Sequence, residues 1–224
     1  MKKLTFLIAF LACIQLLSAQ SKKVDSFHAV EISGSISAEL IASDEERVEY
    51  TITKGSEKNL IIKSTKNNLV VKTDYNWTSG NHTSAKVKIY YKSFDDLEVS
   101  SGSSVSVKDP INVNSFDLEV SSGSTCSATV NTDAIDLEVS SGSTLTLDGK
   151  GDRADVEVSS GSSLRAPDFV VQRADVEVSS GSTAQLEITT SLDADVSSGS
   201  TLRYSGEPSK VDVDKDISSS VSKR

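Results

Sequence analysis

The stretch Asp136-Leu-Glu-Val-Ser-Ser-Gly-Ser-Thr144 decides the fold, because near copies of it occur six times between residues 96 and 201. The glycines inside these copies are Gly102, Gly123, Gly142, Gly161, Gly181 and Gly199. Successive glycines are 21, 19, 19, 20 and 18 residues apart, which indicates a fixed strand followed by connections of adjustable length. Self-similarity at such a period is typical of repeat architectures, in which each unit buries its apolar side against the next.

Within each unit the apolar residues recur with period two, as in a strand that buries one face. In the third unit, the inward parity comprises Leu137, Val139, Ser141, Ser143, Leu145 and Leu147. A row of hairpins would reverse the strand at each step, whereas here the same motif returns in the same direction after each circuit. The Leu-x-x-Leu-x-Leu-x-x-Asn pattern of leucine-rich repeats is absent. We therefore predict an all-β, single-stranded parallel β-helix (a solenoid) with about 20 residues per turn.

The Ser-Gly-Ser part of each unit is interpreted as structural. Both serines, Ser141 and Ser143 in the third unit, have the inward parity, so we expect their stacked hydroxyls to be hydrogen-bonded at a bend. Gly142 is expected in a bend conformation that a β-carbon would disfavour. Cys126 falls in an apolar column and is interpreted as a core residue rather than a nucleophile. The repeats contain no histidine that could activate a serine, so we expect no catalytic residue.

The outward parity of the repeats is acidic. Its first three turns carry Asp96, Glu98, Asp117, Glu119, Asp136 and Glu138. The favoured interpretation is a solvated surface that resists aggregation. The alternative is a row of cation sites, since Ca²⁺ prefers carboxylate oxygens; calcium is thus the one cofactor that the pattern raises.

The two ends of the chain have different compositions from the repeats. Lys2 and Lys3 precede an apolar run, and Leu17-Ser18-Ala19 suits cleavage, so residues 1–19 are predicted to be a signal peptide for export. Lipidation at Cys13 is the alternative. Residues 20–24 are assigned to a short linker and 25–210 to the β-helix domain. Within that domain, 25–95 are expected to form irregular strands and a cap, and 96–204 six regular turns, while 211–224 are predicted to be a flexible tail.

One loop has recognition potential. It contains Tyr75, Asn76 and Trp77, with Asn81 and His82 close behind, and aromatic faces beside amides suit contact with a sugar or peptide. The alternative is that Trp77 packs onto the cap. Without Lys2 and Lys3 the chain has 21 basic and 32 acidic residues, a net charge of −11, which argues against nucleic acid or anionic lipid as a partner. No later stretch is long and apolar enough to be a transmembrane segment.

Several features together resemble a known family. They are Phe27-x-x-Val30-x-Ile32-Ser33-Gly34-Ser35-Ile36, the strand 86–91, the repeated Ser-Gly-Ser turns, and Tyr204-Ser205-Gly206-Glu207-Pro208. This order is similar to that of the putative auto-transporter adhesin head GIN domain family, found in exported proteins of Bacteroidetes. The resemblance covers about residues 25–210. It implies a right-handed parallel β-helix and an adhesin-like role, and it brings no catalytic residues.

The sequence therefore favours a non-catalytic binding or scaffold protein outside the cytoplasm, in the periplasm, on the outer-membrane surface or in the medium. Its partner is expected to be a glycan or another envelope protein. Two alternatives stay open. One is a polysaccharide lyase or hydrolase on a β-helix, which would need a local cluster of carboxylates or a metal site. The other is a structural spacer in the envelope.

Overall fold

The computed structural model describes residues 20–65, 67–74 and 82–224. The predicted signal peptide, with Cys13, lies outside these residues. The described part contains strands, connecting turns and one 3₁₀ turn, Glu57–Asn59. Among these residues no helix has the length and hydropathy needed to cross a membrane.

Among the described residues, eighteen strands join in a single sheet that winds into a coil. In chain order they are β1 Gln20–Lys23, β2 Ala29–Ser33, β3 Ile36–Ala42, β4 Arg47–Lys54, β5 Leu60–Thr65, β6 Asn68–Thr73, β7 Ser84–Tyr91, β8 Asp96–Ser100, β9 Ser104–Val107, β10 Ile111–Asn112, β11 Ser115–Val120, β12 Thr125–Val139, β13 Thr144–Val158, β14 Ser163–Val178, β15 Thr183–Val196, β16 Thr201–Ser205, β17 Lys210–Lys215 and β18 Ser220–Lys223.

Successive turns stack in parallel and in register. Leu118 pairs with Leu97 below it and with Leu137 above it, and the same column continues through Val156 and Val176. Each turn has three segments: the strand before the Ser-Gly-Ser corner, the strand after it, and a short connecting segment such as β10. Strands β12 to β15 run through the second and third segments and into the first segment of the next turn. The predicted all-β parallel solenoid is confirmed; its right-handed sense stays a prediction.

The interior is filled by the apolar columns together with larger residues near the third segment. Leu97, Val99, Leu137, Val139 and Leu145 are fully buried. Four phenylalanines are also almost completely buried: Phe27, Phe94, Phe116 and Phe169. Burial of apolar surface contributes about 25 cal/mol per Å², so stacking is the main source of stability for turns that are open on their own.

The corner differs from its prediction at one position. Ser141 has a φ of 56° and the next residue, Gly142, a φ of 73°, so two consecutive residues are left-handed. This breaks the period of two, and Ser141 points to solvent while Ser143 is buried. The expectation that both serines of each corner face inward is therefore wrong for the first of them in all six corners. In the third corner the buried serine is hydrogen-bonded: the Ser143 hydroxyl accepts from the Ser124 amide at 3.2 Å. The hydroxyl of the equivalent Ser124 is buried without a hydrogen-bond partner among the described residues.

Strands β2 and β3 form the first turn, which stacks directly on the repeats through β8 and β9. On their other side lie β6 and β7, also parallel. Antiparallel strands follow: β5 pairs with β6, β4 with β7, and β1 with β4. An exposed parallel edge at this end of the coil is thus covered.

The C-terminal residues form structure where a tail was predicted. β17 pairs with β15 in parallel, and β18 pairs with β16, so 210–223 continue the coil by a further turn. The interpretation of 211–224 as a flexible tail is therefore wrong. Val213 and Val221 pack against the core, which explains why these residues form a turn of the coil. The sequence pattern failed here because Asp216-Ile217-Ser218 replaces the Ser-Ser-Gly signature of the corner.

Candidate functional site

Two columns of carboxylates run along the first segment of the coil and are here called the acidic face. One column comprises Asp96, Asp117, Asp136, Asp155, Asp175, Asp193 and Asp212. The other comprises Glu31, Glu98, Glu119, Glu138, Glu157, Glu177, Asp195 and Asp214. Parallel pairing in register places like charges one strand spacing apart, at about 4.8 Å. The face therefore concentrates negative potential along the length of the coil.

Stacking and partial burial raise the pKa values of carboxyl groups on this face. Partial burial raises the pKa of Glu98, and the neighbouring charges of Glu119 and Glu31 raise it further. The pKa of Asp96 is raised by partial burial and then by Asp117. Asp136 shows the same direction of pKa shift, from burial and from the carboxylates on either side. All three pKa shifts mean that ionisation of these carboxyl groups lowers the free energy of unfolding. Binding of a cationic partner or of a proton would reduce this loss of stability.

The acidic face does not form a chelating cluster. Its side chains stand side by side on one surface, and no group of three or more His, Cys, Asp or Glu residues in the described part of the chain is arranged to hold a metal ion. Arg153 and Arg173 border this face: the Arg153 guanidinium lies 4.0 Å from the Asp155 carboxylate, both largely exposed, and Arg173 lines a hollow with Asp175. Calcium binding by Asp96, Glu98, Asp117, Glu119, Asp136 and Glu138 stays the untested alternative to a solvated surface.

A hydroxyl column runs along the second segment, just past the corner. It comprises Ser37, Ser104, Thr125, Thr144, Ser163, Thr183, Thr201 and Ser220. All of its members are exposed or half-buried. The Thr125 hydroxyl donates to the Ser104 hydroxyl at 3.2 Å, so neighbouring turns are linked along the column. It lies around the corner from the acidic face.

The predicted recognition loop lies almost wholly outside the described residues, which exclude Tyr75, Asn76, Trp77 and Asn81. His82 is described and exposed, in a hollow of about 280 Å³ that Asp74 and Ser101 also line. The neighbouring Thr83 is buried, and its hydroxyl accepts from the Asn59 amide at 3.1 Å. This end of the loop is therefore tied to the cap. Sugar or peptide binding by the loop stays a prediction.

A groove on the third segment was not predicted. It has a volume of about 660 Å³ and crosses four successive turns. Its uncharged polar lining includes Asn112, Asn114, Asn131 and Gln172, and its charged lining is Asp133, Asp152 and Lys150. We call it the amide groove.

Three hydrogen bonds hold the amides of this groove. The Asn131 Nδ2 donates to the Asn112 Oδ1 at 3.0 Å, and Asn112 Nδ2 donates to the Pro110 carbonyl at 3.1 Å. The Gln172 Nε2 donates to an Asp152 oxygen at 2.6 Å. Each bond links one turn to the next or anchors a side chain to the backbone, so the amides are oriented before any ligand arrives.

Glycine shapes this part of the coil. At Gly149, which has a φ of 116°, a β-carbon would lie 2.0 Å from the Val130 carbonyl oxygen of the turn below. Gly151 is buried beside the ring of Phe169. Glycine at these two positions therefore lets the turns stack closely here, with Lys150 as the side chain between them.

A family model describes this architecture. The model for "Putative auto-transporter adhesin, head GIN domain" matches residues 26–208. The chain belongs to this family. The expected resemblance is thereby confirmed over nearly the span that the sequence indicated. No curated protein sequence matches the chain.

Solved structures share the fold of this head GIN domain at low sequence identity. A putative adhesin from Bacteroides fragilis NCTC 9343 is 13% identical, with a TM-score of 0.79 over 92% of this chain and 96% of that chain. A putative adhesin from Parabacteroides distasonis ATCC 8503 is 17% identical, with a TM-score of 0.72 over 92% and 96% of the two chains. A putative lipid binding protein from the same organism is 18% identical, with a TM-score of 0.69 over 92% and 96%.

The amide groove of this head GIN domain left only a faint trace in the sequence. Asn112 and Asn131 are 19 residues apart, as expected for residues one turn apart, and could have been aligned. The segment between the Ser-Gly-Ser motifs varies in length and composition, however, so its outward columns could not be assigned without the register. The structure shows register shifts there, between Thr146 and Asp148 in β13 and between Ala166 and Val170 in β14.

Proposed function

We propose that this head GIN domain protein is a non-catalytic, extracytoplasmic adhesin-like protein that binds a glycan or another component of the cell envelope on its outer surface. The observation that carries the proposal is the unbroken register of outward polar columns. The acidic face and the hydroxyl column each continue from the first turn to the last at one strand spacing. A surface that repeats in this way suits a partner that also repeats.

The same regularity weighs against the lyase or hydrolase alternative. General acid and base groups need environments that push their pKa values apart, whereas Asp96, Glu98 and Asp136 all shift in the same direction. The buried thiol of Cys126 has a pKa raised by burial to about 12, which suits a core residue rather than a nucleophile. Membership of an adhesin family supports the same conclusion.

An extracytoplasmic location is proposed from two features. Residues 1–19 have the composition of a signal peptide, and the family is described as adhesin-like. A net charge of −9 for the whole chain keeps such a protein soluble and away from anionic lipid surfaces. Protease treatment of intact cells, with lysed cells as the control, distinguishes surface exposure from a periplasmic location.

The binding test uses purified protein and envelope fractions of the organism that produces it. Wild type is expected to be retained on the envelope, and a variant with Glu138→Lys and Glu157→Lys on the acidic face is expected to be retained less. The matched control is Asp44→Lys with Glu45→Lys, the same charge change in an exposed turn away from both columns. Retention of wild type no stronger than that of an unrelated acidic protein would contradict the proposed function.

A further inference from the structure

The amide groove lies where the turns of the coil differ from one another. In the regular turns, the two columns of the acidic face carry only carboxylates, and the hydroxyl column at the start of the second segment carries only Ser and Thr. On the third segment one column reads Asn112, Asn131, Lys150 and Val170. A stack needs only compatible packing between turns, so the individual composition of this column is not explained by the fold.

The chemistry of the groove suits hydroxyl groups. An amide both donates and accepts hydrogen bonds, as a sugar hydroxyl does. Asn131 uses one N–H on Asn112, and no hydrogen bond within the described chain uses its carbonyl oxygen. The side chains of Asn114 and Asp133 likewise have no hydrogen-bond partner among the described residues. Donors and acceptors therefore face the groove from at least two successive turns.

The size of the groove indicates more than one sugar unit. Four turns are separated by three strand spacings of about 4.8 Å, which gives a length of roughly 14 Å. The volume of about 660 Å³ lies within the range of about 300–1,000 Å³ that is usual for ligand sites. Val113 and Val170 contribute apolar surface that can contact the C–H groups of a sugar ring.

The charge of the groove favours an uncharged sugar. Asp133 and Asp152 line it beside Lys150, and Arg153 and Arg173 lie between the groove and the acidic face, so charges of opposite sign nearly balance there. The whole chain has a net charge of −9, which an anionic polymer would meet on approach. The oligosaccharide that fits is therefore uncharged.

From this placement we propose that the amide groove is a binding subsite for a neutral oligosaccharide, with Asn112, Asn131 and Gln172 as its principal hydrogen-bonding side chains. The proposal rests on the binding function proposed above and names the site and ligand class. The amides are already held in place, so binding costs little ordering of side chains.

The test uses the mature chain and uncharged hexasaccharides of glucose, xylose and mannose, with hexagalacturonate as the anionic comparison. Titration is followed by the side-chain amide signals of Asn and Gln in two-dimensional ¹H–¹⁵N spectra, which report on the groove directly. At least one neutral hexasaccharide is expected to shift the amide signals of Asn131 and Gln172, and hexagalacturonate is not. The variant with Asn131→Ala and Gln172→Ala removes two hydrogen bonds and should weaken binding roughly tenfold to hundredfold.

The matched control is Gln185→Ala, which removes a half-buried amide from the second segment and should leave affinity unchanged. Equal binding by wild type and by the double variant overturns the groove as the site while the proposed binding function stands. Retention on envelope fractions with no response to any neutral hexasaccharide overturns the ligand class alone. Absence of both responses overturns the site and the proposed function together.

Discussion

Replacing Glu98 by Gln tests whether the acidic face costs stability. Glu98 is half-buried in β8, and register places Glu31 on one side of it and Glu119 on the other. Gln has the same shape and no charge. The substitution therefore removes two repulsions and the cost of burying a charge, and it leaves the apolar columns untouched.

The magnitude follows from the strand spacing. Two unit charges about 4.8 Å apart repel by about 0.9 kcal/mol in bulk water, so two neighbours contribute about 1.7 kcal/mol. At 0.15 M salt the Debye length is about 8 Å, which reduces this sum to about 1 kcal/mol. For a domain of this size, a gain of about 1 kcal/mol in the free energy of unfolding raises Tm by about 2–4 °C.

The pH dependence has a defined sign. The pKa of Glu98 is raised in the folded state, so the folded protein binds a proton at this group more readily than the unfolded chain does. The cost of the charge is therefore present above the folded pKa and disappears as the pH falls through it. The stability difference between Glu98→Gln and wild type should be largest at pH 7 and shrink as the pH approaches the ordinary carboxyl range.

Urea unfolding at pH 7 and at acid pH, each at low and high NaCl, measures these differences. Wild type should gain more stability from added salt than Glu98→Gln does. Glu45→Gln is the matched control, because Glu45 is exposed and lies outside both carboxylate columns. The electrostatic reasoning is refuted if Glu98→Gln is less stable than wild type at pH 7, or if its stability gain equals that of Glu45→Gln.

Three further predictions concern the corners, the third segment and the core. Gly142→Ala should cost about 1 kcal/mol, because its φ of 73° is unfavourable for alanine but no atom lies within 4 Å of the added β-carbon. Gly149→Ala should cost clearly more, because its β-carbon would lie 2.0 Å from a carbonyl oxygen. Equal losses of stability for the two variants on urea unfolding would contradict this. Ser162→Ala should cost about 1–3 kcal/mol, because the Ser143 amide loses the hydroxyl to which it donates. Ser160→Ala, at an exposed position, should change stability little, and thermal melts of both variants measure the difference. Burial raises the pKa of the Cys126 thiol to about 12, so this thiol should resist iodoacetamide at pH 8 until denaturant is added. Mass spectrometry follows the labelling. Labelling of the native protein at the rate of a free thiol would be inconsistent with burial of Cys126.

The coil was predictable because its repeats encode both strand direction and register. Leu137 and Val139 recur at the same offset from each corner glycine, and the acidic face follows from the opposite parity. The same rule of alternation failed at the corner. Nothing in the letters Ser-Ser-Gly-Ser shows that Ser141 as well as Gly142 is left-handed, since non-glycine residues rarely adopt a positive φ. The parity assigned to Ser141 was therefore wrong, although that of Ser143 was right.

The C-terminal turn and the amide groove were missed for a related reason. Register there is set by pairing with a turn that is already in place, not by a local motif. Asp212 and Asp214 continue the acidic columns, but the corner signature beyond them is replaced by residues 216–218, and in the groove Asn131 pairs with the unlike Lys150. Sequence similarity between turns is sufficient for stacking but not required, because the ladder of backbone hydrogen bonds is independent of the side chains.

This independence bears on where recognition can arise in such a coil. A column of like outward residues, such as either column of the acidic face, presents the same contact at every turn. A bound polymer can therefore shift by one turn without losing contacts. A fixed register needs a feature that occurs once along the axis. In the described part of the coil, the third segment varies from turn to turn in this way, with the Gln172 to Asp152 contact at one position and the Asn131 to Asn112 contact at another. The regular columns can attract a repeating polymer, while the amide groove can hold it at one place.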